Sequence, residues 1–196
     1  MGTRLLDLVV STALLIVFGP VILAIAVLIR LDSSGPAFWL SERVGKDDFR
    51  FRPYRFRTMA VGPSDGLSAE QRLTRVGRFV RNYSLDHLPT LINVLKGEMS
   101  LVGPRPEAPG LVDMTDPTWQ TILSVRPGLI SPAVLRLARE YNASSQAVRN
   151  ALEREYVENR SLAYDLRLLV TAARALAASG GNVKARGQPW SDLHAR

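Results

Sequence analysis

The chain of 196 residues contains no cysteine and only two histidines. The absence of cysteine excludes disulfide bonds, thiolate metal sites and cysteine nucleophiles, and it fits a reducing compartment. Acidic residues are also scarce: 18 Asp and Glu stand against 25 Lys and Arg, which gives a net charge of +7. This excess indicates an anionic partner, namely a nucleic acid, a phosphorylated small molecule or an acidic membrane surface.

Charge is missing altogether from one long segment. The 22 residues from Leu8 to Ile29 include no charged side chain, and a helix of that length covers about 33 Å, enough for the core of a bilayer. Gly19 and Pro20 interrupt the segment, and proline removes a helical hydrogen bond. Two forms fit this pattern: a kinked helix that spans the membrane, or a helix that breaks, dips into one leaflet and returns.

The remainder of the chain predicts an α/β domain that is mostly helical with a small sheet. Alternating Phe and Arg over 49–57 favour an edge strand. Apolar spacing predicts helices, and the proline-rich segment 100–110 predicts irregular structure. The predicted helices cover 68–80, a segment from near Asp86 to Gly97, 118–124, 143–158 and 161–178. We therefore divide the chain into a membrane segment 1–32, a domain 33–178 and a mobile tail 179–196.

Asp86 is the candidate functional residue that the pattern singles out. At the start of a helix it is either a simple cap or a carboxylate held in a positive field. Its neighbours favour a functional role, because Arg75, Arg78 and Arg81 precede it and Arg105 follows between two prolines. Arginines around one carboxylate suit a phosphorylated substrate.

Several segments resemble the bacterial sugar transferases, the monotopic phosphoglycosyl transferases. They are RLLDLVV (4–10), the Gly19-Pro20 pair, SERVG (41–45) and YRFRTM (54–59), together with the run TRVGRFVRNYSLDHLPTLINVLKGEMSLVGPRPE (74–107) and SVRPGL (124–129). The long run is the most specific of these, and the resemblance extends over about residues 1–178.

The resemblance implies transfer of a sugar 1-phosphate from a UDP-sugar to undecaprenyl phosphate, with Mg²⁺, through a phosphosugar bound covalently to Asp86. It also implies a re-entrant helix broken at Gly19-Pro20, on the cytoplasmic face of the bacterial inner membrane. The expected partners are the UDP-sugar, undecaprenyl phosphate and anionic phospholipid, with no nucleic acid and with a homodimer as one option. Asp86 and His87 are the expected catalytic residues, and Asp86 is also the expected metal ligand. The expected substrate-binding residues are Arg57, Arg75, Arg78, Arg81, Arg105, Arg126 and Asp165.

Some roles stay open at this point. Arg55 and Arg57 could touch lipid phosphate or simply line the membrane surface. Asp165 could instead pair with Arg167 or with another buried arginine. His87 stands where the family has glutamate, and a neutral imidazole is a poor ligand for Mg²⁺. An active enzyme with an altered site, an impaired enzyme and a non-catalytic substrate-binding or scaffold protein all fit this change. A membrane-tethered nucleic-acid binder is the rival from another class, since it would explain the basic charge.

Overall fold

A computed structural model describes residues 2–61, 68 and 70–178 of the chain. Helices dominate these residues, as the sequence predicts. The α-helices are α1 (Gly2–Asp32), α2 (Arg75–Asn82), α3 (Leu91–Lys96), α4 (Pro117–Ile122), α5 (Pro132–Leu137), α6 (Gln146–Glu158) and α7 (Leu162–Ala178). Short 3-10 helices cover Lys46–Asp48, Leu85–Thr90, Pro109–Leu111 and Ala138–Asn142.

The strands form three separate two-stranded sheets. Strands β1 (Phe38–Leu40) and β4 (Tyr54–Phe56) pair antiparallel, with Trp39 opposite Arg55. Strands β2 (Arg43–Val44) and β3 (Arg50–Phe51) also pair antiparallel. Strands β5 (Ser100–Val102) and β6 (Gly128–Ile130) pair parallel.

Helix α1 continues through Gly19 and Pro20, so the predicted break is not confirmed. It is the one described helix that is long and apolar enough to cross a membrane, and only 11% of its most apolar window is buried. Both of its ends contact the rest of the protein. Arg4 donates hydrogen bonds to the carbonyls of Val94 and Leu95, at 2.6 and 2.9 Å, at the end of α3. At the other end, Asp32 accepts a hydrogen bond from the Val76 N–H at 2.9 Å.

The main core lies under α3, β5, α6 and α7. Its fully buried members include Leu91, Val94, Val102 and Tyr156, and Leu14 of α1 packs against them. A second cluster joins Ile25 and Ile29 of α1 to Phe56 and Val80. Because each half of α1 packs on a different cluster, the apolar segment is part of the folded domain along its length.

Three predicted elements have different bounds. The predicted strand 49–57 is two strands, because Pro53 has no N–H to donate and the chain changes partner there. The predicted helix 68–80 begins only at Arg75: Leu73 pairs with Met59, and the Thr74 side chain caps the Gly77 N–H. The first residues of the segment predicted as irregular form β5, which ends before Pro104.

Helix α5 was not predicted, although its sequence carries a clear start signal. Ser131 accepts a hydrogen bond from the Val134 N–H at 3.1 Å, and Pro132 occupies the first helical position. The predicted mobile tail lies outside the described residues.

Candidate active site

Asp86 lies on the 3-10 helix Leu85–Thr90, immediately before α3. Ser84 precedes that helix with a left-handed backbone, φ 54°, a conformation that is costly for a residue with a side chain. Thr90 holds the N-cap position of α3, which begins at Leu91, so Asp86 is not the cap of that helix. Its side chain is 21% exposed, and its Oδ2 lies 3.4 Å from Nε2 of His87.

Asn93 of α3 fixes the position of β4 beside Asp86. This fully buried side chain accepts the Tyr54 N–H at 2.9 Å and donates to the Arg52 carbonyl at 3.1 Å. Thr90 adds a hydrogen bond from its hydroxyl to the Tyr54 carbonyl at 2.9 Å. These contacts hold Arg55, the next residue along β4, against the 3-10 helix.

Four arginines gather beside Asp86 and His87: the charges of Arg55, Arg81 and Arg105 act on His87, and that of Arg43 acts on Arg55. Burial, together with the charges of Arg105, Arg43 and Arg81, lowers the pKa of Arg55 to about 10, against the opposing effect of Asp86. The Nε atoms of Arg43 and Arg55 are buried and have no hydrogen-bond partner within the described part of the chain. Unpaired buried donors are costly, so the cluster is suited to an anion that can accept from them.

His87 is neutral in this setting. Desolvation lowers its pKa well below the usual value of 6.5, and the charges of Arg55, Arg105 and Arg81 act in the same direction, against the attraction of Asp86. The side chain is still 38% exposed. It therefore presents an uncharged imidazole, with a nitrogen lone pair, at the edge of a strongly positive site.

Arg105 joins this cluster to a second group of residues. Its backbone N–H donates to Oε1 of Glu153 at 3.1 Å, and its guanidinium lies 5.3 Å from the ring centre of Tyr141. Its Nε lies 3.9 Å from Glu107, which offsets one positive charge.

A family model described as bacterial sugar transferase matches residues 1–179. The chain belongs to the bacterial sugar transferase family. This confirms the resemblance that the motifs predicted, and it places the chain among transferase enzymes.

Among the curated relatives, the UDP-N-acetylgalactosamine-undecaprenyl-phosphate N-acetylgalactosaminephosphotransferase of Aeromonas hydrophila is 37% identical over 183 residues, 88% of this chain and 43% of that protein. The UDP-glucose:undecaprenyl-phosphate glucose-1-phosphate transferase of Caulobacter vibrioides is 36% identical, over 88% of this chain and 68% of that protein. The exopolysaccharide production protein ExoY of Rhizobium meliloti is 31% identical, over 93% of this chain and 88% of that protein. The chain therefore spans less than half the length of the Aeromonas relative.

The structure places the predicted arginines of this sugar transferase in different surroundings. The charges of Arg81 and Arg105 help to lower the pKa of His87, as described above. Arg75 and Arg78 are exposed on α2. The hydrogen bond from the Val76 N–H lowers the pKa of Asp32, and the charge of Arg75 acts in the same direction. The Nε of Arg126 donates to the Gly97 carbonyl at 2.7 Å, at the end of α3.

Arg57 is not placed with the Asp86 cluster. Only 3% of it is exposed, and its guanidinium donates to the Ser33 and Ser34 carbonyls and to the Ser33 hydroxyl, where α1 ends. Its terminal nitrogens are thus bonded within the fold, although its buried Nε has no partner among the described residues. These contacts give Arg57 a structural role at the end of α1, and the expectation of substrate binding draws no support from them.

Asp165 is likewise enclosed by the fold. It is 3% exposed, accepts a hydrogen bond from the Tyr156 hydroxyl at 2.6 Å and lies 3.6 Å from Nε of Arg160. Burial raises its pKa. These contacts correspond to the alternative in which Asp165 pairs with an arginine, although the partner is Arg160 and not Arg167.

Sequence reasoning missed Arg43, Glu153 and Tyr141, and for Arg55 it left open a contact with lipid phosphate or a place at the membrane surface. The signal for Arg43 and Arg55 was present, since both lie in the family-like segments 41–45 and 54–59. The positions of Glu153 and Tyr141 depend on the packing of α6 against the loop of Arg105, which no local pattern reports.

The side chains around Asp86 can hold Mg²⁺ only in part. No group of three His, Asp or Glu residues gathers for a metal ion among the described residues. Asp86 supplies one carboxylate, and Mg²⁺ commonly binds through one or two carboxylates together with the phosphates of a substrate. The donor set therefore fits an ion that enters with a diphosphate, with Asp86 as its protein ligand.

Proposed function

We propose that this sugar transferase moves a sugar 1-phosphate from a UDP-sugar to undecaprenyl phosphate, through a covalent intermediate on Asp86. The observation that carries the proposal is the position of Asp86 beside four arginines, of which two, Arg43 and Arg55, have unpaired buried donors. The Aeromonas and Caulobacter relatives are named as transferases that use undecaprenyl phosphate, and these names add support.

In the first step, a carboxylate oxygen of Asp86 attacks the phosphorus that bears the sugar. The bond from that phosphorus to the bridging oxygen breaks, and UMP leaves with this oxygen. Arg43, Arg55, Arg81 and Arg105 stabilise the charge that develops on the phosphate oxygens. A carboxylate nucleophile divides one difficult displacement into two easier ones.

In the second step, an oxygen of undecaprenyl phosphate attacks the same phosphorus. The bond to Asp86 breaks, which restores the carboxylate and yields undecaprenyl diphosphate sugar. When bound, Mg²⁺ would neutralise phosphate charge, and Asp86 is the residue that would hold it. His87 is uncharged, so the positive charge of the site comes from the arginines.

The contacts of α1 support a location on one face of the membrane. Because both ends of the helix are bonded to the same domain, we propose that both lie on the same side of the bilayer, as in a re-entrant anchor. The cytoplasmic face of the bacterial inner membrane supplies both the nucleotide sugar and anionic phospholipid for the basic surface. A homodimer stays a prediction.

The test is incubation of the purified full chain with a panel of UDP-sugars, Mg²⁺ and undecaprenyl phosphate, with release of UMP as the readout. We expect UMP from at least one donor. If the chain binds UDP-sugars and releases no UMP, it is the impaired enzyme or the scaffold protein, the two alternatives raised by His87 in place of glutamate. If instead it binds oligonucleotide at submicromolar concentration with a steep dependence on salt, it is the rival nucleic-acid binder.

A further inference from the structure

Trp39 of β1 is a large apolar side chain that the fold leaves mostly uncovered. Its exposed fraction is 60%, although an indole is among the side chains that gain most from burial. The two steps proposed above do not use it. Single exposed apolar side chains are ordinary on protein surfaces, so the meaning of this one depends on what lies next to it.

The register of β1 and β4 places Trp39 beside the Asp86 cluster. Trp39 stands directly opposite Arg55 in this antiparallel pair. Residues directly opposite each other project from the same face of a sheet, with their Cβ atoms about 5 Å apart. The charge of Asp86 opposes the lowering of the pKa of Arg55, an effect that requires the two side chains to be close. The indole of Trp39 therefore flanks a guanidinium that belongs to the candidate active site.

Arg57 attaches the same pair of strands to the end of α1. Its backbone N–H donates to the Ala37 carbonyl at 2.8 Å, immediately before β1. Its guanidinium donates to the Ser33 carbonyl at 2.8 Å, immediately after α1. Strand β1 thus connects the end of the long apolar helix with the Asp86 cluster, and Trp39 is the central residue of that strand.

A lipid acceptor needs a surface of this kind. A polyprenyl phosphate brings its phosphate to Asp86 while its isoprenoid chain stays in the bilayer, so the chain must pass from a charged site to an apolar surface. Leu28 and Leu31, near the end of α1, are exposed and provide the apolar side of this path. An indole suits the boundary between the two, because its ring is apolar and its N–H is polar.

We propose that Trp39 binds the first isoprene units of the polyprenyl phosphate acceptor, next to the phosphate that Arg55 contacts. The inference rests on the proposed function for the identity of the acceptor. It adds the side chain that recognises the lipid part of that substrate, and it places the path of the isoprenoid chain along β1. The first step of the proposed reaction involves no lipid, so Trp39 contributes only to the second.

The first experiment measures binding and needs no turnover. Titration calorimetry of the full chain in detergent micelles gives the Kd of farnesyl phosphate, which carries the phosphate and the first isoprene units, and the Kd of UMP. Trp39→Ala removes the indole, and Trp39→Phe keeps an aromatic ring. Phe49→Ala is the matched control, because Phe49 is 61% exposed and precedes β3 of another sheet. Circular dichroism verifies that each variant is folded.

We expect Trp39→Ala to raise the Kd of farnesyl phosphate about tenfold, through loss of apolar contact. Trp39→Phe should recover most of this loss, and Phe49→Ala should bind as the wild type does. The Kd of UMP should stay the same in all variants. In the transfer assay, Trp39→Ala should raise the KM for undecaprenyl phosphate and leave the single-turnover release of UMP without acceptor unchanged.

Three results would overturn the inference. They are a wild type that does not bind farnesyl phosphate, an unchanged Kd of farnesyl phosphate in Trp39→Ala, and a raised Kd of UMP in its place, which would mean that the indole stacks on uracil. If Trp39→Ala only weakens sedimentation of the chain with acceptor-free phospholipid vesicles, Trp39 is a membrane anchor and the inference is wrong. A tenfold loss of farnesyl phosphate binding in a protein whose wild type releases no UMP would support the contact and refute the proposed transfer.

Discussion

At the scale of single residues, Asp86 and His87 are neighbours in sequence and in space, and the arginines affect them differently. A carboxylate gains from surrounding guanidinium groups, whereas a protonated imidazole is disfavoured by them. The site therefore combines one carboxylate with one neutral imidazole. Three predictions concern these side chains and Glu153.

Asp86→Asn should abolish the release of UMP, by a factor of about a thousand or more, because the amide cannot attack phosphorus. The fold should persist, since the side chain keeps its size. Asp113→Asn changes a carboxylate on an exposed loop and serves as the control. Wild-type rates in Asp86→Asn would show that Asp86 is not the nucleophile.

His87→Glu should raise the affinity for Mg²⁺, because it adds an oxygen ligand and a negative charge beside Asp86. The measurement is the dependence of UMP release on Mg²⁺ concentration, together with direct titration of the metal. His87→Gln separates the two causes, since it adds an oxygen without the charge. An unchanged affinity in His87→Glu would place the metal away from this residue.

Glu153 should make stability depend on pH. Burial raises its pKa to about 7 from 4.5, so the folded state binds more protons than the unfolded state between those values. The contribution of Glu153 to the free energy of unfolding is therefore largest at low pH and is lost as the pH rises through about 7. The Tm of the wild type relative to Glu153→Gln should fall between about pH 5 and pH 8, by the equivalent of about 3 kcal/mol at most. Glu158→Gln, half exposed on the same helix, should show no such trend.

At the scale of elements, the site depends on how β4, the 3-10 helix Leu85–Thr90 and α3 are joined. Sequence patterns predicted a helix ending at Gly97, and Gly97 indeed closes α3 with a left-handed backbone, φ 84°. They did not predict that β4 would pack there. The connection is made by Asn93, a polar side chain on an apolar helix, whose partners lie about forty residues away in sequence.

Asn93→Ala should destabilise the protein by about 3 kcal/mol, because it leaves the buried Tyr54 N–H and Arg52 carbonyl without partners. It should also lower the rate of UMP release, since Arg55 loses its fixed position. Thermal unfolding and the UMP assay measure the two effects. Asn142→Ala, at an exposed position, is the matched control. Equal Tm values for the two variants would argue against Asn93 as the residue that joins β4 to α3.

At the scale of the whole molecule, the long apolar helix and the domain form one folded unit. Asp7 of α1 is buried and accepts hydrogen bonds from the Ser100 hydroxyl and the Leu101 N–H. Arg57 donates to the Ser33 carbonyl at 2.8 Å at the opposite end. A helix tied to one domain at both ends cannot place those ends on opposite sides of a bilayer without breaking one set of contacts.

The absence of cysteine makes this arrangement easy to test. Gly2→Cys and Ser34→Cys each introduce a single thiol at an exposed position near one end of α1. Both should react with an impermeant maleimide from the same side of the membrane as the reference variant Glu158→Cys on α6. Labelling of residues 2 and 34 from opposite sides would establish a spanning helix.

The sequence by itself determined the apolar segment, the helical character of the domain and the family, and it singled out Asp86 as the candidate. These follow from local features: runs without charge, apolar spacing, proline positions and one long motif. Tertiary structure decided which arginines surround Asp86 and which do not. Arg55 and Arg57 lie two residues apart on or next to β4, yet Arg55 faces the site and Arg57 closes the end of α1. The identity of a charged residue does not report its surroundings, because contacts between segments far apart in the chain decide whether a guanidinium meets a substrate or a carbonyl of its own fold.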